Sequence, residues 1–171
     1  MTDDAIDRLI DQWRHARPDL DPAPMAVFAR LFRASRAADE AVEAELGRHG
    51  LQAGWFDVLS ALRRSGKPYR LSPGRLSSAV MLSTGGMTKR LDRMEQAGLL
   101  TRSPDPDDRR GILVGLTARG RRAVDAAVEA HIANEARLLG ALTTTERAQL
   151  QRLLRRLDAS ISAATAPAAA P

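Results

Sequence analysis

Residues 83–117 read "STGGMTKRLDRMEQAGLLTRSPDPDDRRGILVGLT". Ser83 offers a helix cap, and the run that follows closes at Gly98. Within it Met87, Leu91 and Met94 recur at helical spacing on one stripe, while Gly85, Lys89 and Arg93 fall on the other face. Then Leu99–Arg102 and Ile112–Leu116 are short, β-prone runs, separated by a turn rich in Asp, Pro and Gly. A basic helix followed at once by a charged hairpin predicts a recognition helix with a wing.

The residues just upstream complete the unit. In "LSPGRLSSAV", Ser72 is placed to cap a helix with Pro73 at its first position. Two short helices in succession, the second basic on its outer side, make a helix-turn-helix pattern. A third helix is expected before them, from Ala53 to Ser65, with Trp55, Val58, Leu59 and Leu62 on its apolar side and Gly66 as its stop. Upstream again, "RPDLDPAP" separates a short helix carrying Ile6, Leu9, Ile10 and Trp13 from a long one starting near Met25. The long helix presents Val27, Phe28, Leu31, Phe32, Val42 and Leu46. Downstream, Thr117 opens a long helix over 118–139, and Thr143 with Glu146 forms a capping box for the last one. The fold class is therefore mostly α with a small β-hairpin wing.

Charge is unevenly divided. Residues 1–62 carry a net −4, residues 63–110 a net +6 and residues 111–171 a net +3. The positive charge is concentrated where the winged unit lies, which suits a polyanion. Because 24 of the 26 basic residues are arginine, placement is more informative than number. At the start of the second short helix, Ser83, Thr84 and Gly85 are small enough for phosphate or base edges to come close. Thr88, Lys89 and Arg93 extend that face. In the wing, Arg109 and Arg110 suit the negative potential of a minor groove, with Asp108 placed to hold a guanidinium in a fork before DNA arrives.

Other classes find little support. The chain has no cysteine, so disulfides, thiolate metal sites and thiol redox sensing are excluded. His15, His49 and His131 have no ligand-like spacing, so no metal or cofactor is expected. No nucleophile–base pair is visible, and "STGG" lacks the ending of a phosphate-binding loop, so an enzyme is not expected. A winged helix that binds only protein would need neither the basic face nor the arginine wing. No run of apolar residues reaches membrane length and the acidic amphipathic start is unlike an export signal, so a cytoplasmic location is expected.

The stretch "LSPGRLSSAVMLSTGGMTKRLDRMEQAGLLTRSPDPDDRRGILVGLTARG" resembles the MarR family of bacterial transcription regulators over about residues 25–160, with "DRR…V.LT..G" its most specific part. The resemblance implies a homodimer on palindromic operator DNA, with dimerisation helices in 1–50 and 118–162 and the winged unit in 51–117, while the small-residue run "AATAPAAAP" reads as a disordered tail over 163–171. It also implies release by a small ligand, with repression the usual outcome. The added N-terminal helix with a tryptophan, followed by "RPDLD", is similar to the urate-responsive subgroup. That narrower resemblance implies Trp13, Asp57, Arg64 and Arg90 as ligand residues. On the residues alone, Asp57 and Arg64 share a helix face about 10.5 Å apart, too far to pair directly. They read equally as solvated charges, and Trp13 as a core or dimer anchor. Arg90 lies beside the Met87–Leu91–Met94 stripe and needs a partner. Another purine, a phenolic acid or a dicarboxylate are the rival ligands.

Overall fold

A computed structural model describes residues 4–80, 86–108 and 110–166. The chain divides into two compact units, one reaching to His131 and the other starting at Ile132.

The first unit opens with α1 (Ala5–Ala16) and α2 (Ala23–Arg48). Asp4 caps α1 by accepting the backbone N–H groups of Ile6 and Asp7, at 2.7 and 3.2 Å. The same carboxylate takes Arg33 of α2 at 2.8 Å, and Asp7 takes Arg30 at 2.6 Å. Two opposed charges thus tie α1 down while Ile6 and Ile10 are buried. The predicted apolar side of α2 is mostly uncovered. Leu46 is buried, yet Val27, Phe28 and Phe32 are exposed. Periodicity reports that a face is apolar, not which surface covers it.

The core gathers around α3 (Ala53–Arg64), whose Val58, Leu59 and Leu62 are fully buried. Each such side chain contributes about 1.5–3 kcal/mol through removal from water. Against it pack Leu46, Leu76 of α4 (Pro73–Ala79), Leu91 and Met94 of α5 (Met87–Gln96), and Val124 of α6 (Ala118–Leu138). Ser72 caps α4 as expected, with its Oγ accepting the Arg75 N–H. The described part of α5 begins after the expected cap at Ser83. The helix starts at Met87, and its cap is Gly86 at φ +81°, a left-handed conformation that glycine adopts without a Cβ penalty. Ser83 itself lies outside the described residues.

A three-stranded antiparallel sheet closes this unit, in the order β1 (Arg70–Leu71), β3 (Ile112–Leu116), β2 (Leu100–Pro104). Arg102 pairs with Val114 and Pro104 with Ile112 across the hairpin, and Arg70 pairs with Gly115 on the other side. At the entry to α6, Thr117 Oγ1 accepts the Gly120 N–H at 2.9 Å and donates to the Gly98 carbonyl at 2.8 Å. A Cβ on Gly120 would collide with the Leu99 carbonyl oxygen, which explains the "LT..G" spacing. The architecture is a winged helix-turn-helix among added helices.

The second unit holds the end of α6 and α7 (Thr144–Thr165). The capping box forms as read: Thr143 Oγ1 accepts from Glu146 N, and Glu146 Oε2 accepts from Thr143 N. Arg147 fastens the turn by donating to the carbonyls of Leu139 and Leu142 at 2.9 and 3.0 Å. Ile132, Leu138, Leu150, Leu153 and Leu154 are exposed, and no described residue of α7 is buried.

Candidate nucleic-acid interface and ligand pocket

On α5 the two faces separate as the spacing predicts. Met87, Leu91 and Met94 are buried, while Thr88, Lys89 and Arg93 are exposed. Packing of the apolar stripe therefore fixes which side chains face outward. Ser83, Thr84, Gly85 and Arg109 lie outside the described residues. Arg110 is exposed in the wing turn.

In the wing, acidic side chains meet backbone N–H groups. Asp108 Oδ1 accepts the backbone N–H of Arg110 at 3.0 Å, and Asp105 Oδ1 accepts that of Asp107 at 3.0 Å. These are Asx turns: a short acidic side chain satisfies its own loop two residues on. Asp108 thus shapes the wing through the backbone of Arg110, not through that residue's guanidinium. Gly111 closes the loop, its N–H on the Asp108 carbonyl and its carbonyl accepting from Asp105 N. A Cβ there would lie 2.9 Å from Asp105 Cβ and 3.1 Å from Asp108 Cβ.

One feature of this interface escaped the sequence reading. Arg102 of β2 reaches Asp92 at 2.7 Å and Glu95 at 2.8 Å, both on α5. Its backbone N–H also donates to Glu95 Oε1 at 2.9 Å. The recognition helix and the wing are therefore clamped together through one guanidinium. An i, i+3 acidic pair on a basic helix was the available signal, but nothing in the sequence said which arginine it would meet. Beside the clamp, a cleft of about 530 Å³ opens between α4, α5 and the wing, with Pro73, Ser77, Thr88, Asp92, Arg102 and Ile112 among its walls.

The ligand candidates divide. Asp57 is half-buried on α3, and burial raises its carboxyl above the ordinary range. Three neighbouring side chains oppose that shift: Arg90 of α5 most strongly, then Arg64, then His131 of α6. Asp57 and Arg64 line one pocket of about 280 Å³, together with Phe56, Ser60, Arg63, Val124, Val128 and His131. The Ser60 hydroxyl is buried there without a hydrogen-bond partner among the described residues. Phe56 and His131 meet with ring centres 4.8 Å apart, giving the pocket an aromatic wall. Arg63 is engaged with Asp125 at 2.7 Å and lies over the Tyr69 ring, so Arg64 is the more available cation. Arg90 is half-buried, and its Nη1 is enclosed with no hydrogen-bond acceptor among the described residues. Asp57 thus stands between a pocket and the recognition helix. Trp13 is placed elsewhere. Its half-exposed indole lines a separate depression of about 290 Å³ with Arg17, Leu20, Asp21, Pro22 and Met25.

Among the described residues, no helix is long and apolar enough to cross a membrane, and no cluster of His, Asp and Glu could hold a metal ion. Residues 49–111 match the model of the MarR family. The HTH-type transcriptional regulator PecS of Dickeya dadantii (strain 3937) is 39% identical over 153 residues, which span 90% of this chain and 92% of PecS. A mutant MarR from E. coli, solved in complex with operator DNA, superposes with a TM-score of 0.69 at 25% identity, covering 81% of this chain and 97% of that one. BpsR of Bordetella bronchiseptica, whose regulation of DNA binding by 6-hydroxynicotinic acid has been described structurally, gives 0.68 at 30% identity, with 77% and 92% covered. These relatives are transcriptional regulators, not enzymes.

Proposed function

Since the chain belongs to the MarR family of ligand-responsive, DNA-binding transcriptional regulators, we propose that it is a repressor released from palindromic promoter DNA by urate. It acts in the cytoplasm as a homodimer. The exposed apolar residues Phe28 and Phe32 of α2, and separately Leu150, Leu153 and Leu154 of α7, support the dimer, because large apolar side chains left in water favour a second copy. Thr88, Lys89 and Arg93 face the major groove, and Arg110 lies in the wing that reaches the neighbouring groove or backbone. Ser83, Thr84, Gly85 and Arg109 join that surface on the sequence reading.

The observation that carries the ligand reading is the position of Asp57, in the field of Arg64 at the pocket and of Arg90 on the recognition helix. Urate is flat and anionic near neutral pH, and arginine suits it by fork geometry and stacking. An anion held by Arg64 repels the Asp57 carboxylate, weakening the attraction that draws Arg90 toward α3. The recognition helix then loses its register. A tenfold loss of operator affinity needs only about 1.4 kcal/mol of such coupling. Trp13 enters this proposal on the family resemblance alone.

A second reading has its own observation. The cleft behind α5, which reaches Thr88 and Arg102, could seat an aromatic acid such as a phenolic acid. The two are separated by a gel shift on DNA upstream of the protein's own gene, titrated with urate and with salicylate. Release by urate at millimolar concentration or below, with Asp57→Asn still bound to DNA but at least tenfold less responsive, supports the first. Asp57→Asn should also melt higher at neutral pH. A raised carboxyl pKa means the ionised form opposes folding above that pKa, and the opposition disappears below the unfolded value. Release by salicylate with no urate response favours the cleft. DNA binding that ignores salt would instead indicate a protein-interaction module.

A further inference from the structure

Gly54 occupies the first turn of α3, where alanine would be favoured by up to about 1 kcal/mol on helix propensity alone. The reason for glycine is visible in what lies on it. A Cβ built at Gly54 would meet Arg90 Cζ and Nε at 3.1 Å and Nη2 at 3.3 Å. The guanidinium of Arg90 therefore rests against α3 where Gly54 has no side chain. Among the described residues no ion pair joins Arg90 to a carboxylate, and its enclosed Nη1 has no acceptor. The contact is held by shape and by attraction to Asp57 over a distance.

We propose that Gly54 is a positioning residue for DNA recognition, acting through Arg90: the missing side chain is the seat that fixes the rotation of α5 about its own axis. Arg90 lies one residue after Lys89 and three before Arg93, so its anchorage on α3 sets the direction of both exposed cations. A side chain at 54 moves the guanidinium outward and turns that face away from its groove. The proposal rests on α5 being the recognition helix and is independent of which ligand the pocket takes.

The test is a double-mutant cycle on the full-length protein, reading operator affinity and melting temperature. Gly54→Ala asks Arg90 to yield by a few tenths of an ångström, and Gly54→Val puts branched carbons in its place. We expect Gly54→Ala to melt no lower than wild type yet bind operator about threefold more weakly, and Gly54→Val to bind about tenfold more weakly. A purely structural role would move stability and affinity together. In the Arg90→Ala background, Gly54→Val should change affinity by less than about twofold. Wild-type affinity in both glycine variants, or the same loss with and without Arg90, overturns the role of Gly54 alone. Failure of the wild type to bind its operator overturns the assignment of α5 itself, and the proposal with it.

Discussion

Arg102→Ala removes the only guanidinium that spans α5 and the wing among the described residues, and its consequence can be worked from the geometry. The side chain is 27% exposed, and its partners Asp92 and Glu95 are 47% and 37% exposed. Pairs this accessible contribute about 0.5–1 kcal/mol each. The variant also leaves two carboxylates three positions apart on one helix without their shared cation, a further few tenths. The loss totals about 1–2 kcal/mol, against a typical domain stability of about 5–15, so the protein stays folded. The Arg102 backbone N–H keeps its bond to Glu95, so β2 retains its register. What changes is the angle held between wing and recognition helix. Operator affinity should fall about three- to tenfold, as expected when up to ~1.4 kcal/mol of that loss is felt on DNA. The decisive assay is a salt series. Arg102 is committed to carboxylates, so the slope of log affinity against log salt should match wild type, whereas Arg93→Ala should flatten it by about 0.9. An Arg102→Ala protein with wild-type stability and a slope reduced by about one would show that Arg102 touches phosphate, and would refute the clamp.

Two more perturbations follow from the same surfaces. Gly111→Ala forces apart the two Asx turns, because its Cβ falls 2.9 Å from Asp105 Cβ; operator affinity should drop several-fold in a gel shift with little change in melting temperature, since the wing tip is exposed. Acid should release α1 from α2. Asp4 is held down to about 2, first by its hydrogen bond to Arg33 and then by the Ile6 N–H, so its contribution is complete above its unfolded pKa near 3.8 and lost as the pH falls through 2. Trp13 fluorescence should report that step between pH 4 and 2, and Asp4→Asn should abolish it.

Much of the site was legible because helical spacing and local capping are short-range. The stripe Met87–Leu91–Met94 alone determined that Lys89 and Arg93 face outward, and Thr143 with Glu146 announced the start of α7. The cap read at Ser83 lies outside the described residues, among which α5 starts at Met87 behind a left-handed Gly86. The three-way relation of Asp57, Arg64 and Arg90 came from resemblance. On residues alone Asp57 read as solvated, since its burial depends on α5 and α6 arriving from elsewhere in the chain.

By itself, then, the sequence determined periodicities, caps and the placement of charge: a basic helix, a tight acidic turn and apolar stripes whose partners it did not name. Tertiary structure decided every relation across elements. It chose Arg102 as the partner of Asp92 and Glu95, and it brought Arg90 against Gly54. It also paired β1 with β3, although two residues at Arg70–Leu71 carry no strand period of their own. The physical reason is one of range. Helix spacing and capping are satisfied within about four residues of chain. An ion pair between two elements, or a close approach between residues 36 positions apart such as Gly54 and Arg90, exists only once packing has brought those elements together.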